Sequence, residues 1–206
     1  MDTGQWFNVL VEEIKNTSVL EYLGVGFGVA QVLLAKANKV WLYPTGIISV
    51  LISIYIFFGA KLYAEAALNL YYFIMSVYGW WLWAYKRGTI PLQITKTGKK
   101  DWRVTIAIVI IGFFLLWAIL SHFTDSDVPV FDAWVSATAW AGMWLLAKRK
   151  LENWVLLNIS NAVAIPLLLH KNLPLYTLLT IFLFIFAIQG YLNWEKLIKT
   201  HNTNAV

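Results

Sequence analysis

The chain has no cysteine among its 206 residues. Disulfides, thiolate metal sites and a cysteine nucleophile are therefore excluded, and nothing is learned about redox compartment. Charge is also scarce: 13% of residues are charged, against about 25% in a soluble domain that must keep its surface wet. That shortage excludes a disordered chain, a coiled coil and an ordinary cytosolic enzyme. The three histidines (His122, His170, His201) are far apart at helix ends or in the tail, which argues against a metal site. No Gly-x-Ser-x-Gly element with a partner histidine supports an intramembrane hydrolase, and nothing in the pattern asks for a cofactor.

What is abundant is apolar. Sixty per cent of the residues are hydrophobic, twelve are Trp, and mean hydropathy is +0.64; an integral membrane protein fits. Seven stretches of 17 to 24 residues contain no Lys or Arg: Val19–Ala35, Val40–Gly59, Leu62–Tyr85, Val104–His122, Val130–Ala147, Trp154–His170 and Leu173–Trp194. Each is long enough to cross the hydrocarbon, and a backbone in lipid must satisfy its own hydrogen bonds, so all seven are expected to be helices. The remainder is too short for a soluble domain. Residues 1–18 lack the basic region of a cleavable signal; their apolar residues recur at helical spacing, which predicts a short helix in the membrane interface, with a disordered tail as the alternative. Residues 195–206 form a C-terminal tail.

The net charge of +5 is explained by topology. Lys15, Lys61 and Lys171 fall on one face, and the other thirteen basic residues fall on the opposite one. The positive-inside rule places the N-terminus outside and the C-terminus in the cytoplasm, and a nucleic-acid partner becomes improbable; the lipid bilayer takes its place.

An internal repeat divides the chain. Leu33-Leu34-Ala35-Lys36 recurs as Leu145-Leu146-Ala147-Lys148, 112 positions on, and at 113 positions Trp41 falls on Trp154, Tyr78 on Tyr191 and Trp81 on Trp194. Residues 19–85 and 130–194 then form two three-helix units, and residues 86–129 hold a cytoplasmic loop and a linker helix. An interval of four helices makes the repeat parallel. The expected architecture is all-α, seven transmembrane helices arranged 3+1+3.

Polar residues are costly in mid-membrane and mark function more often there than elsewhere. Asn69, Asn158, Asn161 and Gln189 are candidates, and Asn158 and Asn161, spaced i,i+3, share one face. Helix-to-helix hydrogen bonding is the simpler role for a lone amide. Tyr72, Trp140, Trp144 and Trp154 are candidate walls, with Trp140 and Trp144 an i,i+4 pair suited to a flat, cationic ring. Trp41, Trp80, Trp81, Trp83, Trp117 and Trp194 are expected in an interfacial belt, and Gly24 and Gly28 in a close-packing ridge. The only acids within the stretches, Glu21, Glu65 and Asp132, lie within four residues of an end. With no mid-membrane ionisable group to couple transport to a gradient, passive facilitation is the simpler mechanism.

Lys61-Leu-Tyr-Ala64, Ser76-Val-Tyr-Gly-Trp-Trp-Leu-Trp83, Lys150-Leu-Glu-Asn-Trp154 and Gly190-Tyr-Leu-Asn-Trp194 resemble the Pnu family of bacterial vitamin transporters, whose best-known members carry nicotinamide riboside. The resemblance covers the seven stretches apart from most of the fourth. It implies a full-length relative of the SWEET fold, often trimeric, in the inner membrane. It also implies facilitated diffusion, with a cytoplasmic kinase trapping the vitamin by phosphorylation. The sequence departs from the family pattern at Leu157, where nicotinamide riboside members typically have Trp; Asn161 keeps a polar position and Asn158 is added. Thiamin, also a cationic aromatic, is therefore the nearest rival, and riboflavin a more distant third. A non-translocating membrane receptor or structural subunit is the competing class.

Overall fold

The computed structural model describes residues 3–60, 62–85, 92–124 and 126–203. They form eight helices: α1 (Thr3–Asn16), α2 (Val19–Lys36), α3 (Leu42–Gly59), α4 (Tyr63–Tyr85), α5 (Lys99–Phe123), α6 (Pro129–Ala147), α7 (Asn153–His170) and α8 (Pro174–Thr203). The seven apolar stretches correspond to α2–α8. Six of these, all but α4, are long and apolar enough to cross a membrane. Asn69, three tyrosines (71, 72, 78) and three tryptophans (80, 81, 83) lower the hydropathy of the 23-residue α4. Two helices overrun their stretches: α5 begins at Lys99 and α8 continues nine residues past Trp194. Lys and Arg end an apolar stretch but are good helix formers, so the helix carries on into the interface.

The N-terminal segment is helical, not a disordered tail. It packs on α8, and the Glu13 carboxylate accepts the Leu175 N–H at 2.8 Å, satisfying one free donor at the start of α8. The Tyr22 hydroxyl donates to the Ile14 carbonyl at 2.7 Å. Glu21 forms a reciprocal capping box with Ser18 at the start of α2, and Asp132 pairs with Lys171 at 2.7 Å. These two acids thus have structural partners. The Glu65 side chain lies outside the described residues, as do Lys61, Lys86 and Arg87.

Consecutive helices pack on one another from α2 to α4 and from α5 to α8. Three further contacts join these groups: α2 on α8, α4 on α6 and a smaller one of α4 on α5. Gly24 and Gly28 do form the expected close approach. A Cβ on Gly24 would lie 3.0 Å from Ile52, and the Ser49 hydroxyl donates to the Gly24 carbonyl at 2.8 Å. The outer face of α5 exposes Ile110, Ile111, Phe114 and Leu115, a lipid-facing surface with no use in water.

The α2–α3 and α6–α7 turns have the same hydrogen-bond pattern. Asn38 N–H donates to Ala35 O and Lys39 N–H to Leu34 O, both at 2.9 Å; Arg149 N–H donates to Leu146 O and Lys150 N–H to Leu145 O, again both at 2.9 Å. Asn38 and Arg149 each have φ of 57°, a left-handed turn that asparagine tolerates better than arginine does. All of these pairs are 111 positions apart. The α3 and α7 ends agree, with Ala60 N–H to Ile56 O and Lys171 N–H to Leu167 O, both at 3.0 Å.

Candidate functional site

The basic end of the bundle is filled by rings. Tyr43 lies edge-on to Trp83 (centroids 5.2 Å apart), Trp83 contacts Trp194 at 6.1 Å, and Trp194 meets Trp154 edge-on at 5.6 Å. This row runs from α3 through α4 and α8 to α7. Two glycines make room for it. Trp154 lies against Gly190, where a Cβ would fall 2.7 Å from the indole, and Tyr43 lies against Gly79, where a Cβ would overlap the phenol. Both rings are buried, with Trp154 2% exposed and Tyr43 0%.

Trp83 and Trp194 do not belong to an interfacial belt. They are 5% and 0% exposed. The Trp83 indole N–H donates to Ala147 O at 3.1 Å, and that of Trp194 to Ala35 O at 3.0 Å. Each ring crosses to the other group of helices and donates to a carbonyl in the last turn of a helix there, α6 for Trp83 and α2 for Trp194, where intrahelical donors run out. Trp41, Trp80, Trp81 and Trp117 are exposed, as a belt requires.

The Glu-Asn-Trp block explains itself locally. Glu152 accepts the Thr97 N–H at 2.7 Å and its hydroxyl at 2.5 Å, tying the 92–98 segment to the α6–α7 turn. Asn153 is fully buried and donates to Lys150 O at 2.6 Å. Arg149 stacks over Trp83 at 4.2 Å and donates to the Asn38 side chain at 2.8 Å and to the Leu92 carbonyl. Three cytoplasm-facing turns of the sequence reading are thereby joined at one guanidinium.

Further along the helices, α4 and α6 meet through stacked rings. Tyr71 stacks on Trp140 (4.5 Å, 22°) and donates to its carbonyl at 3.0 Å, and Tyr78 lies parallel to Trp144 (6.2 Å, 4°). Tyr72 is half-buried, edge-on to Tyr71 at 6.2 Å. Six buried polar atoms find no hydrogen-bond partner among the described residues: Ser76 Oγ, the Nε1 atoms of Trp140, Trp144 and Trp154, and the Oδ1 atoms of Asn153 and Asn158. Native structures leave few such atoms, because each costs about 1–3 kcal/mol. They lie on α4, α6 and α7, and Asn158 is one turn beyond Trp154 on the same face. The set offers three indole donors, two amide oxygens and a hydroxyl among aromatic faces, without fixed charge. It could hold a flat polar ring by stacking and several hydrogen bonds.

Of the residues predicted from sequence, Trp140, Trp144, Trp154 and Asn158 therefore share one chemical property, an unanswered polar atom. Tyr72 flanks them. Asn69 on α4 and Asn161 on α7 are half-buried on the same two helices. Gln189 is placed apart: it is exposed in a groove between α2 and α8 and accepts a hydrogen bond from Lys36 Nζ at 2.5 Å. Sequence reasoning did not select Asn153 or Ser76, although both lie in the blocks that carry the family resemblance. The signal for Ser76 was its spacing, one helical turn before Gly79 on the face that receives Tyr43. Leu157, the departure from the family pattern, turns toward α6, where its side chain would lie 2.9 Å from a Cβ on Gly142.

Comparison with known proteins agrees with the all-helical membrane fold. The chain is 25% identical over 191 residues to the nicotinamide riboside transporter PnuC of Neisseria mucosa, covering 85% of this chain and 71% of that protein. It is 21% identical over 215 residues to the protein of that name from Escherichia coli, covering 92% and 90%. A crystal structure of the vitamin B3 transporter PnuC superposes with a TM-score of 0.71 at 25% identity, over 95% of this chain and 89% of that one. The family model described as nicotinamide mononucleotide transporter matches residues 18–196, most of the length and all of α2–α7, so the chain belongs to this family of multi-pass membrane transporters.

Proposed function

We propose that the protein carries nicotinamide riboside into the cell by facilitated diffusion, through a site between α4, α6 and α7. The observation that carries this reading is the set of six unanswered polar atoms among stacked rings, which suits a small, flat, hydrogen-bonding solute. The names of the relatives agree. A nucleoside fits better than a nucleotide: the spans hold no Lys or Arg in their interiors, and a phosphate dianion buried without a cation is prohibitively costly. The same lack of charge favours facilitation over coupling to an ion gradient, with phosphorylation by a cytoplasmic kinase keeping the vitamin inside.

In this reading α4 is the seventh span, the N-terminus is outside and the C-terminus in the cytoplasm of a bacterial inner membrane. Helices α2–α4 and α6–α8 form a parallel repeat joined by α5, a full-length SWEET-like arrangement. The hydrogen-bond equivalences 111 positions apart support it, and they replace the 112 and 113 of the side-chain matches. Under that register Tyr43 answers to Trp154, Gly79 to Gly190 and Trp83 to Trp194. The ring row and the Arg149–Asn38 link close the cytoplasmic end, and rocking one repeat against the other would open it. Trimerisation, common in the family, is part of the proposal.

Proteoliposome uptake of labelled nicotinamide riboside tests the reading. Saturable flux, independent of an imposed proton or sodium gradient and competed by unlabelled riboside, is expected. Stronger competition by thiamin would replace the substrate, and binding without flux would favour a receptor. Thiamin stays as the second reading because Leu157 removes a stacking ring from the site.

A further inference from the structure

The groove that holds Gln189 has a chemistry unlike the vitamin site. It has a volume of about 460 Å³ between the basic ends of α2 and α8, and its lining includes Lys36, Gln189, Asn193 and Lys196 with Leu33 and Leu192. Lys36 donates to the neutral Gln189 amide and lies over the Phe186 ring at 4.8 Å; Asn193 donates to the Lys36 carbonyl at 2.8 Å. Neither Lys36 nor Lys196 has an acidic partner among the described residues, and the neighbouring Glu195 is taken by Lys199 at 3.2 Å.

The other junction between the repeats shows what satisfies a lysine at this depth. Lys148 is the C-cap of α6, one residue past its end, and Lys36 is the last residue of α2. Lys148 lies over Trp144 at 4.4 Å and is neutralised by Asp101 of α5 at 2.7 Å, while Lys150 approaches the same carboxylate at 3.4 Å. The α5 helix does not pack on the α2–α8 junction, and among the described residues no equivalent carboxylate reaches Lys36. An amide oxygen answers a hydrogen but not a charge.

We propose that the α2–α8 groove binds the headgroup of an anionic phospholipid. Lys36 and Lys196 meet the phosphate, Gln189 and Asn193 supply amide donors, and Leu33 and Leu192 lie along the first acyl carbons. Paired basic residues between helices at the cytoplasmic surface are the chemistry that selects anionic headgroups, and Leu33, Gln189 and Leu192 in the groove are exposed. The inference needs α2 and α8 to span a bilayer. It does not depend on which vitamin is carried, so failed riboside uptake leaves it standing.

Native mass spectrometry of the full chain in detergent, titrated with phosphatidylglycerol or phosphatidylcholine, tests it. One retained phosphatidylglycerol per chain is expected. Lys36→Gln and Lys196→Gln should each weaken it about five-fold, and the double substitution about twenty-five-fold, down to the phosphatidylcholine level. Lys39→Gln, on the same face but outside the groove, should leave it unchanged. A preference for phosphatidylglycerol that survives the double substitution overturns the proposal. So does displacement of the lipid by millimolar inorganic phosphate, which would identify a free-anion site.

Discussion

Two junctions between the helix groups, α4 with α6 and α2 with α8, are pinned alike and otherwise use different side chains. Each is pinned at its basic end by an indole donating to a carbonyl across the junction, Trp83 to Ala147 and Trp194 to Ala35. Beyond those pins they diverge. The α4–α6 junction is filled by two stacked ring pairs, and its lysine is paired with Asp101 of α5. The α2–α8 junction has an open polar groove and an ammonium answered by an amide. On the readings proposed above, one junction takes the substrate contact and the other the lipid contact. The covering linker helix makes the difference, because it seals one side and supplies the missing carboxylate.

The largest test of this asymmetry concerns the rings on the two glycines. Trp154→Ala and Tyr43→Ala each empty a buried seat and should each lower stability by about 3–5 kcal/mol, measured by denaturant or thermal unfolding in detergent. Their functional effects should separate. Trp154 has an unanswered Nε1, whereas the Tyr43 hydroxyl already donates to Leu146 O at 3.5 Å. Riboside affinity should fall at least ten-fold in Trp154→Ala and stay within about three-fold in folded Tyr43→Ala, an estimate from one stacking contact plus one hydrogen bond. Equal losses would show that the site does not favour the second repeat. At the glycines themselves, Gly79→Ala and Gly190→Ala should each cost about 1–3 kcal/mol by overpacking.

Next in size are the pins. Trp83→Phe and Trp194→Phe keep most of the apolar volume and remove one N–H each. Losing the donor to Ala147 O should cost about 1–3 kcal/mol, and Trp194→Phe should cost less, because Ala35 O keeps the Asn38 N–H at 2.9 Å. The chain contains no cysteine, which allows a labelling test of the closure. A cysteine in place of Ser76 should react slowly with a thiol reagent applied from the cytoplasmic side, and faster when Arg149→Ala removes the link to Asn38 and Leu92. An unchanged rate would mean that the guanidinium does not hold that end shut.

These pins also show why sequence reading reached the helices more surely than the site. Helical spans announce themselves by the absence of Lys and Arg, a signal that depends only on the solvent, and all seven stretches proved helical. A tryptophan one turn inside the basic end reads the same whether its N–H meets a headgroup or a backbone carbonyl. Trp83 and Trp194 were therefore indistinguishable from the exposed Trp80 and Trp81. On the repeat reading proposed above, the register differs for a related reason: the turns at Asn38 and Arg149 share their backbone hydrogen bonds 111 positions apart, whereas the matching letters fall 112 and 113 apart. Trp140 and Asn158, away from the ends of α6 and α7, were singled out because an indole or amide there is costly in lipid, and their place in the site belongs to the proposal above. Gln189 met the same criterion, but its position on α8 faces the groove and its lysine.

The smallest expected effect would convert one junction toward the other. Asp101→Asn removes the carboxylate that neutralises Lys148 and Lys150 while keeping the shape of the side chain. The pair is partly exposed, at 28% and 18% of the side-chain surface, so the stability change should be no more than about 1 kcal/mol and should shrink with added salt. The informative readout is lipid stoichiometry. If an unanswered lysine at the basic end is what recruits an anionic headgroup, freeing Lys148 should add a second, weaker phosphatidylglycerol to each chain, while the first stays bound between α2 and α8. Restoring a carboxylate with Asp101→Glu should abolish the second adduct. If Asp101→Asn adds no lipid, the charge balance of the lysine does not distinguish the two junctions. Groove shape, set by the stacked rings on one side and their absence on the other, would then have to account for the difference.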